Sequence, residues 1–379
     1  MRLVADAGLW STGPVNSTAA TPLATVLEVS GAVLSWLVDD PQDAAPHVTF
    51  TDVSRADWLW RVLGEAGHVA LVSAVDGSAG QPDSIELTGV DLLPGSVAPL
   101  RRLAIGHWLR RWWPASRRDG IAGLDRALLD VEVALLTVGA QNFFPDDTLD
   151  SDVAGLLTPH AAALIGHLRS DDPRVVDLVR AGAGLADEIG TEGEYWTELV
   201  AAVDDSSPAL APPSGRRDDY ALAAGADGGP RGAGEIARGV ASIAWSGVPP
   251  AIFDAAENTV DWSVEARGAT VVAVVRAAVI GPDPATGITV RLRSAAVEGT
   301  GALDATGRAT LPLEDGQRRA LAETAAWDRD WSATSVLVGA ETTESPETRE
   351  RVRRWARTRL DLPPREAFLA EILASESAY

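Results

Sequence analysis

The sequence predicts an α+β protein of several domains: an N-terminal α/β module, a helical module, and a C-terminal β-sandwich with terminal helices. Three observations lead there. Residues 1–98 mix short β-rich runs with an amphipathic stretch, 99–205 carry apolar residues at helical spacing, and 237–344 hold β-rich runs separated by turn clusters. A chain of 379 residues has room for two or three domains. A composition of 46% hydrophobic and 23% charged residues is that of a folding chain, not a disordered one.

The elements follow in order. MRLVADAGLW begins as a strand. ATVLEVSGAVLSWLV, from Ala24 to Val38, fits either a long apolar helix or a hairpin about Ser30 and Gly31. HVTFTD is a strand. SRADWLWRVLGEAG then reads as a helix with Ser54 as N-cap and Gly67 as its stop, followed by HVALVSAVD and SIELTGVDLL as two more strands. The first helix of 99–205 opens near Pro99 and must end by Trp113, because Pro114 has no amide hydrogen and clashes with the preceding turn. A second spans about Gly120 to Val138, with Leu124, Leu128, Val131 and Leu135 at helical spacing. Three more follow the acidic loop PDDTLDSD, the pair Asp172-Pro173, and the start of GEYWTELVAAV. Residues 206–236, rich in Pro, Gly and Ala, form a flexible linker. Six strand candidates then fill 237–344, with a tight turn at Asp304-Ala-Thr-Gly307. Two helices occupy 345–379, the first opened by Ser345-Pro346-Glu347 and the two separated by Pro363-Pro364.

Composition narrows the chemistry. No cysteine is present, so disulfides, thiolate nucleophiles and zinc–thiolate sites are excluded. No lysine is present either, which excludes a complete Walker A motif and Schiff-base chemistry. A net charge of −22 makes nucleic acid an unfavourable partner. No charged segment followed by an apolar one opens the chain, and ATVVAVVRAAVIG is too short to span a bilayer. A soluble, cytoplasmic protein without membrane contact is expected. No metal and no cofactor are expected. His160 and His167 stand seven apart, a weak ligand spacing, and Asp146, Asp147, Asp150 and Asp152 lack a calcium-loop framework. No Gly-x-Ser-x-Gly elbow occurs, and the glycine-rich run Gly225–Glu235 falls in the linker.

Two segments concentrate arginine and tryptophan. HWLRRWWPAS (107–116) closes a helix on which Leu100, Leu103, Ala104, His107, Trp108 and Trp112 lie on or beside one face, so its tryptophans fit a core. Trp112 and Trp113, being consecutive, cannot share that face, and Trp with Arg is the composition of interface hot spots. The interaction candidates are therefore Arg101, Arg102, His107, Trp108, Arg110, Arg111, Trp112 and Trp113. TRERVRRWARTRL offers a basic face of Arg349, Arg353, Arg354 and Arg357. Its alternative is a solvated helix with pairs such as Glu350–Arg354.

HWLRRWWP, followed by an acidic helical region, resembles the accessory (bpX-like) components of actinobacterial NTP-dependent conflict systems, over at most the first 200 residues. Those systems join a MoxR-type AAA+ ATPase, a von Willebrand A protein and a third, non-ATPase component. The resemblance implies a non-catalytic adaptor or recognition subunit, with the AAA+ ATPase and the von Willebrand A protein as partners. LDATGRATLPL is similar to a strand–turn–strand of carboxypeptidase-regulatory or transthyretin-like sandwiches. Two other readings stay open: a cofactor-independent hydrolase with dispersed Asp, Glu and His, and a nucleic-acid sensor acting through the Arg/Trp helices.

Overall fold

Period-two burial builds the first sheet. The computed structural model describes residues 1–12, 21–77, 83–145, 149–205, 234–268 and 270–377. Most of the linker expected at 206–236, the run Gly225–Glu235 and the acidic pair Asp146 and Asp147 therefore lie wholly or largely outside the described residues. Strands β1 (Arg2–Asp6), β2 (Leu9–Thr12), β3 (Ala24–Val29), β4 (Ala32–Leu37) and β5 (His47–Phe50) are followed by helix α1 (Trp60–Asp76) and the short β6 (Ser84–Glu86). They form an antiparallel sheet in the order β3-β4-β5-β2-β1-β6. Along β3 and β4 alternate residues are buried, which resolves the run from Ala24 to Val38 as a hairpin. Gly31 turns it at φ +73°, and a Cβ there would stand 2.2 Å from the Asp52 carbonyl oxygen.

One element differs from expectation. HVALVSAVD is not a strand but the second half of α1. Asp52, not Ser54, accepts the capping amide, at the head of a 3-10 turn that precedes the helix. Gly67 does not stop the helix; it is buried inside it, where a Cβ would stand 3.0 Å from Leu63 Cβ. With every neighbouring pair of strands antiparallel, the first 98 residues are α+β, not α/β.

Helices α2 (Ala98–Trp112), α3 (Arg126–Gly139), α4 (Leu149–Leu157), α5 (Ala161–His167), α6 (Pro173–Glu188) and α7 (Glu194–Asp205) follow. The helix expected from Gly120 starts instead at Arg126, where the Asp125 carboxylate accepts the Leu128 amide at 3.0 Å. Glycines let neighbours approach α3. A Cβ on Gly106 of α2 would lie 2.6 Å from Val133 Cγ2, and one on Gly182 of α6 would lie 2.7 Å from Val131 Cγ1. Residues 1–202, 249–251 and 343–379 cluster as one compact unit.

Residues 203–248 and 252–342 form the other unit. Its strands are β7 (Glu235–Ala241), β8 (Val260–Arg267), β9 (Thr270–Ala277), β10 (Thr289–Ser294), β11 (Val297–Ala302) and β12 (Arg308–Glu314), then helix α8 (Glu323–Trp327) and β13 (Ser335–Val338). They make a single antiparallel sheet, β13-β10-β11-β12-β9-β8-β7, whose outer strands come back towards each other. The two-layer core of a sandwich is formed here by one sheet curling towards a barrel around Val264, Ala273, Val275, Leu292 and Leu311. β11 escapes sequence reading because Gly299 and Gly301 dilute its pattern. They are there to make room, since a Cβ on either would stand 2.6 or 2.7 Å from the side chain of Leu313 or Leu311. The chain ends in α9 (Pro346–Asp361), capped by Ser345, and α10 (Leu369–Ser377), both in the first unit; α10 packs on α3 and α9. No helix among the described residues is long and apolar enough to cross a membrane.

Candidate functional site

The Arg–Trp segment is wired inward. Trp108 is buried; its indole donates to the Pro22 carbonyl at 2.5 Å and its ring meets Trp355 edge-on, centroids 5.1 Å apart. Arg101, 5% exposed, donates from Nη2 to the Asp40 carbonyl at 2.5 Å, and burial lowers its pKa without removing its charge. Arg102 pairs with Glu132, donates to the Glu366 carbonyl at 3.2 Å and lies over the Phe368 ring. Arg110 grips Asp130, with Nε 2.5 Å from Oδ1. Half-buried Trp113 donates to the Ala122 carbonyl at 2.8 Å. Arg111 stacks on half-buried Trp112, 4.1 Å from the ring centroid. Leu103, Ala104 and Leu109 beside them are buried.

Asp130 is the hub. It is 1% exposed and takes Arg110, His160 (Nε2 to Oδ2, 2.8 Å) and Arg126 (3.6 Å). Burial works to raise its pKa, but the hydrogen bonds from His160 and Arg110 outweigh this and hold it below the usual carboxylate range. A carboxylate–imidazole pair can serve a general base. Here the same carboxylate is neutralised by fixed guanidinium groups, so the network closes on itself and holds α2, α3 and the α4–α5 turn together. His160 and His167 do not converge on a metal: His160 binds Asp130, and His167 binds Asp125 at 2.9 Å. No group of three metal-ligating side chains occurs among the described residues.

His107 and His167 give the first unit opposed pH dependences. Burial, then Arg110, lowers the His107 pKa to about 4. Between its unfolded value of about 6.5 and that value, the unfolded chain binds a proton that the folded chain does not. Stability therefore falls as pH drops through this window, by about 3 kcal/mol in total. The hydrogen bond that His167 donates to Asp125 raises the His167 pKa, so its contribution is present below about 6.5 and fades as pH rises through the folded value. Urea unfolding of His107→Gln from pH 7 to 4 should show a flatter loss than the wild type. Parallel curves would contradict the assignment.

The basic face expected on α9 does not form. Arg349 is buried against Glu344 at 3.3 Å. Arg353, 3% exposed, reaches Glu350 at 3.0 Å and Asp119 at 3.4 Å. Arg357 meets Asp119 at 3.0 Å, and only Arg354 of the four is exposed. The physical reason is burial: Val352, Ala356 and Leu360 turn this side of the helix into the core, and the guanidinium groups go with it to meet carboxylates.

A surface that sequence reading missed lies at the other end of α2. The segment before the helix folds into a turn with Gly95 at φ +74°. The Ser96 amide and hydroxyl both donate to the Leu93 carbonyl, at 3.1 and 2.7 Å, and the Leu93 amide ties the segment to the Val62 carbonyl of α1. Opposite, the Val48 amide donates to the Thr12 hydroxyl at 2.9 Å, holding β5 beside β2. Between them is an open cleft of about 500 Å³, lined by Thr12, Pro46, Val48, Leu92, Leu93 and Val97. Asp43 and Asp91, both exposed, line it too, as does Met1, whose ammonium stands 3.9 Å from Asp91 Oδ1 and leaves Asp43 as the carboxylate farther from it. Leu93 stays 46% exposed. Behind the cleft an apolar recess of about 10 Å³ runs to Leu34, Phe50 and Val62. Pro94-Gly95 was the available signal: it is a turn dipeptide, and it ends the strand expected at SIELTGVDLL.

No family model, no curated protein and no solved structure matches this chain.

Proposed function

We propose that this chain is a non-catalytic recognition subunit. It binds an extended, apolar and basic segment of a partner protein in the cleft between β5 and Leu92–Val97. The observation that carries the reading is the composition of that cleft: leucine, valine and proline walls with two exposed carboxylates. The whole chain, at −22, adds a field that draws a basic partner in. The Arg–Trp network supports the same reading from the opposite side, because its groups are committed to holding α2 and α3 together. Following the resemblance of HWLRRWWP, the partner is a component of a bacterial defence-type assembly, an AAA+ ATPase or a von Willebrand A protein, with ATP hydrolysis supplied in trans.

Fluorescence anisotropy with labelled peptides alternating leucine with arginine, or leucine with glutamate, tests this. The arginine peptide should bind the wild type and the glutamate peptide should not. Leu93→Asp should weaken binding at least about tenfold, or about 1.4 kcal/mol. Asp43→Asn with Asp91→Asn should lower the affinity and flatten its salt dependence. Equal binding by Leu93→Asp, or by the two peptides, would sink the proposal.

A further inference from the structure

The curled sheet of the second unit is shut at one end and open at the other. Among the described residues, β7 and β13 are its outer strands, and each is hydrogen-bonded to a strand on one side only. Seven strands in strict antiparallel alternation leave the first and last running the same way. Just past their C-terminal ends the two segments touch: the Ala340 amide donates to the Gly247 carbonyl at 2.8 Å. Only glycine allows this approach. A Cβ on Gly339, at φ +82°, would lie 2.1 Å from the Gly247 oxygen, and one on Gly247 would lie 2.4 Å from the Ala340 oxygen.

At the N-terminal ends the segments diverge around a cleft of about 330 Å³, between Glu235–Arg238 and Arg329–Ser332. Two buried polar atoms in its lining have no hydrogen-bond partner among the described residues, Glu235 Oε1 and Arg329 Nε. Glu235 Oε1 is 3.7 Å from Arg238 Nε, too far for a hydrogen bond. Arg238 balances the Glu235 charge from 3.7 Å without a hydrogen bond, so what the cleft lacks is a hydrogen-bond donor to Glu235 Oε1 and an acceptor for Arg329 Nε.

Strand parity says what fits. β7 and β13 approach too closely elsewhere for a strand to pass between them, but at the open mouth a short added strand on the free edge of Glu235–Arg238 would be antiparallel to β7 and would extend the alternation. We propose that the open seam takes an extended segment of a partner protein as a short eighth strand. That segment offers main-chain groups to Glu235–Arg238, a basic side chain to the Glu235 carboxylate and an acidic one to the Arg329 guanidinium. This is strand addition with charge complementarity at its mouth. The site is separate from the cleft beside Leu93 and stands or falls independently of it.

The test uses the full chain and a labelled, end-blocked octapeptide of alternating valine and threonine, with one lysine and one glutamate two residues apart. Anisotropy should show saturable binding, and hydrogen exchange should show new protection at 235–238 and 329–332. Glu235→Gln and Arg329→Met should each weaken binding at least about fivefold, with circular dichroism and the leucine–arginine peptide affinity unchanged. The same octapeptide with alternate amides methylated should not bind, because strand addition needs those donors. Overturning results are no saturable binding, undiminished binding by the methylated peptide, or wild-type affinity in both variants. A concentration-dependent mass in sedimentation that Arg329→Met abolishes would also overturn it, assigning the seam to a second copy of the chain.

Discussion

Glu371→Ala should remove about 3–5 kcal/mol from the stability of the first unit, the scale expected when one partner of a buried ion pair is deleted. Glu371 is fully buried. Its carboxylate accepts from Arg359 Nε at 2.6 Å, from Arg359 Nη2 at 2.8 Å and from the Phe368 amide at 2.9 Å. The variant strands a guanidinium that is itself 7% exposed, leaving it Glu366 at 3.6 Å and the face of Trp355. It also uncaps the amide that opens α10. Urea unfolding followed by tryptophan fluorescence measures the loss. The double variant Arg359→Met/Glu371→Leu should recover a large part of it, because removing both charges removes the stranded one. A single-variant loss below about 1 kcal/mol, the size of an exposed pair, would contradict the account.

Arg110→Glu should be at least as severe. It sets a second carboxylate beside Asp130, which is 1% exposed and would keep only His160 and the more distant Arg126. Two carboxylates at that separation cannot both stay ionised without cost. The thermal midpoint should fall by many degrees, and Asp130→Asn in the same chain should restore part of it. An unchanged midpoint would mean that Arg110 sits in solvent and that the Arg–Trp segment is available to a partner after all.

The sequence carried the elements better than their company. Period-two and period-3.6 patterns placed β5, α2, α6 and α9, and Pro114, Asp172 and Ser345 marked helix ends, because these signals are local; the run from Ala24 to Val38 stayed open between helix and hairpin. Gly67 misled because a glycine's role depends on its neighbour: it sits buried close to Leu63 inside α1 and ends nothing. The same blindness hid β11, whose glycines serve Leu311 and Leu313 across the sheet. Arginine was the hardest to place. HWLRRWWP fits either core tryptophans or an interface, and TRERVRRWARTRL either a solvated helix or a basic face. Yet Arg101, Arg349, Arg353 and Arg359 are buried, each held by carboxylates or carbonyls supplied from elsewhere in the sequence. The cleft beside Leu93 was illegible for a related reason: it is made by segments around Thr12, Pro46 and Leu93 that meet only in the fold.

Hydrogen exchange of the full chain, with and without a saturating leucine–arginine peptide, tests the central claim most directly. The account predicts slowed exchange at residues 43–48 and 91–97, with 107–113 and α9 unchanged. Protection confined to 107–113 or to α9 would contradict it and return the Arg–Trp helices to the role of binding surface.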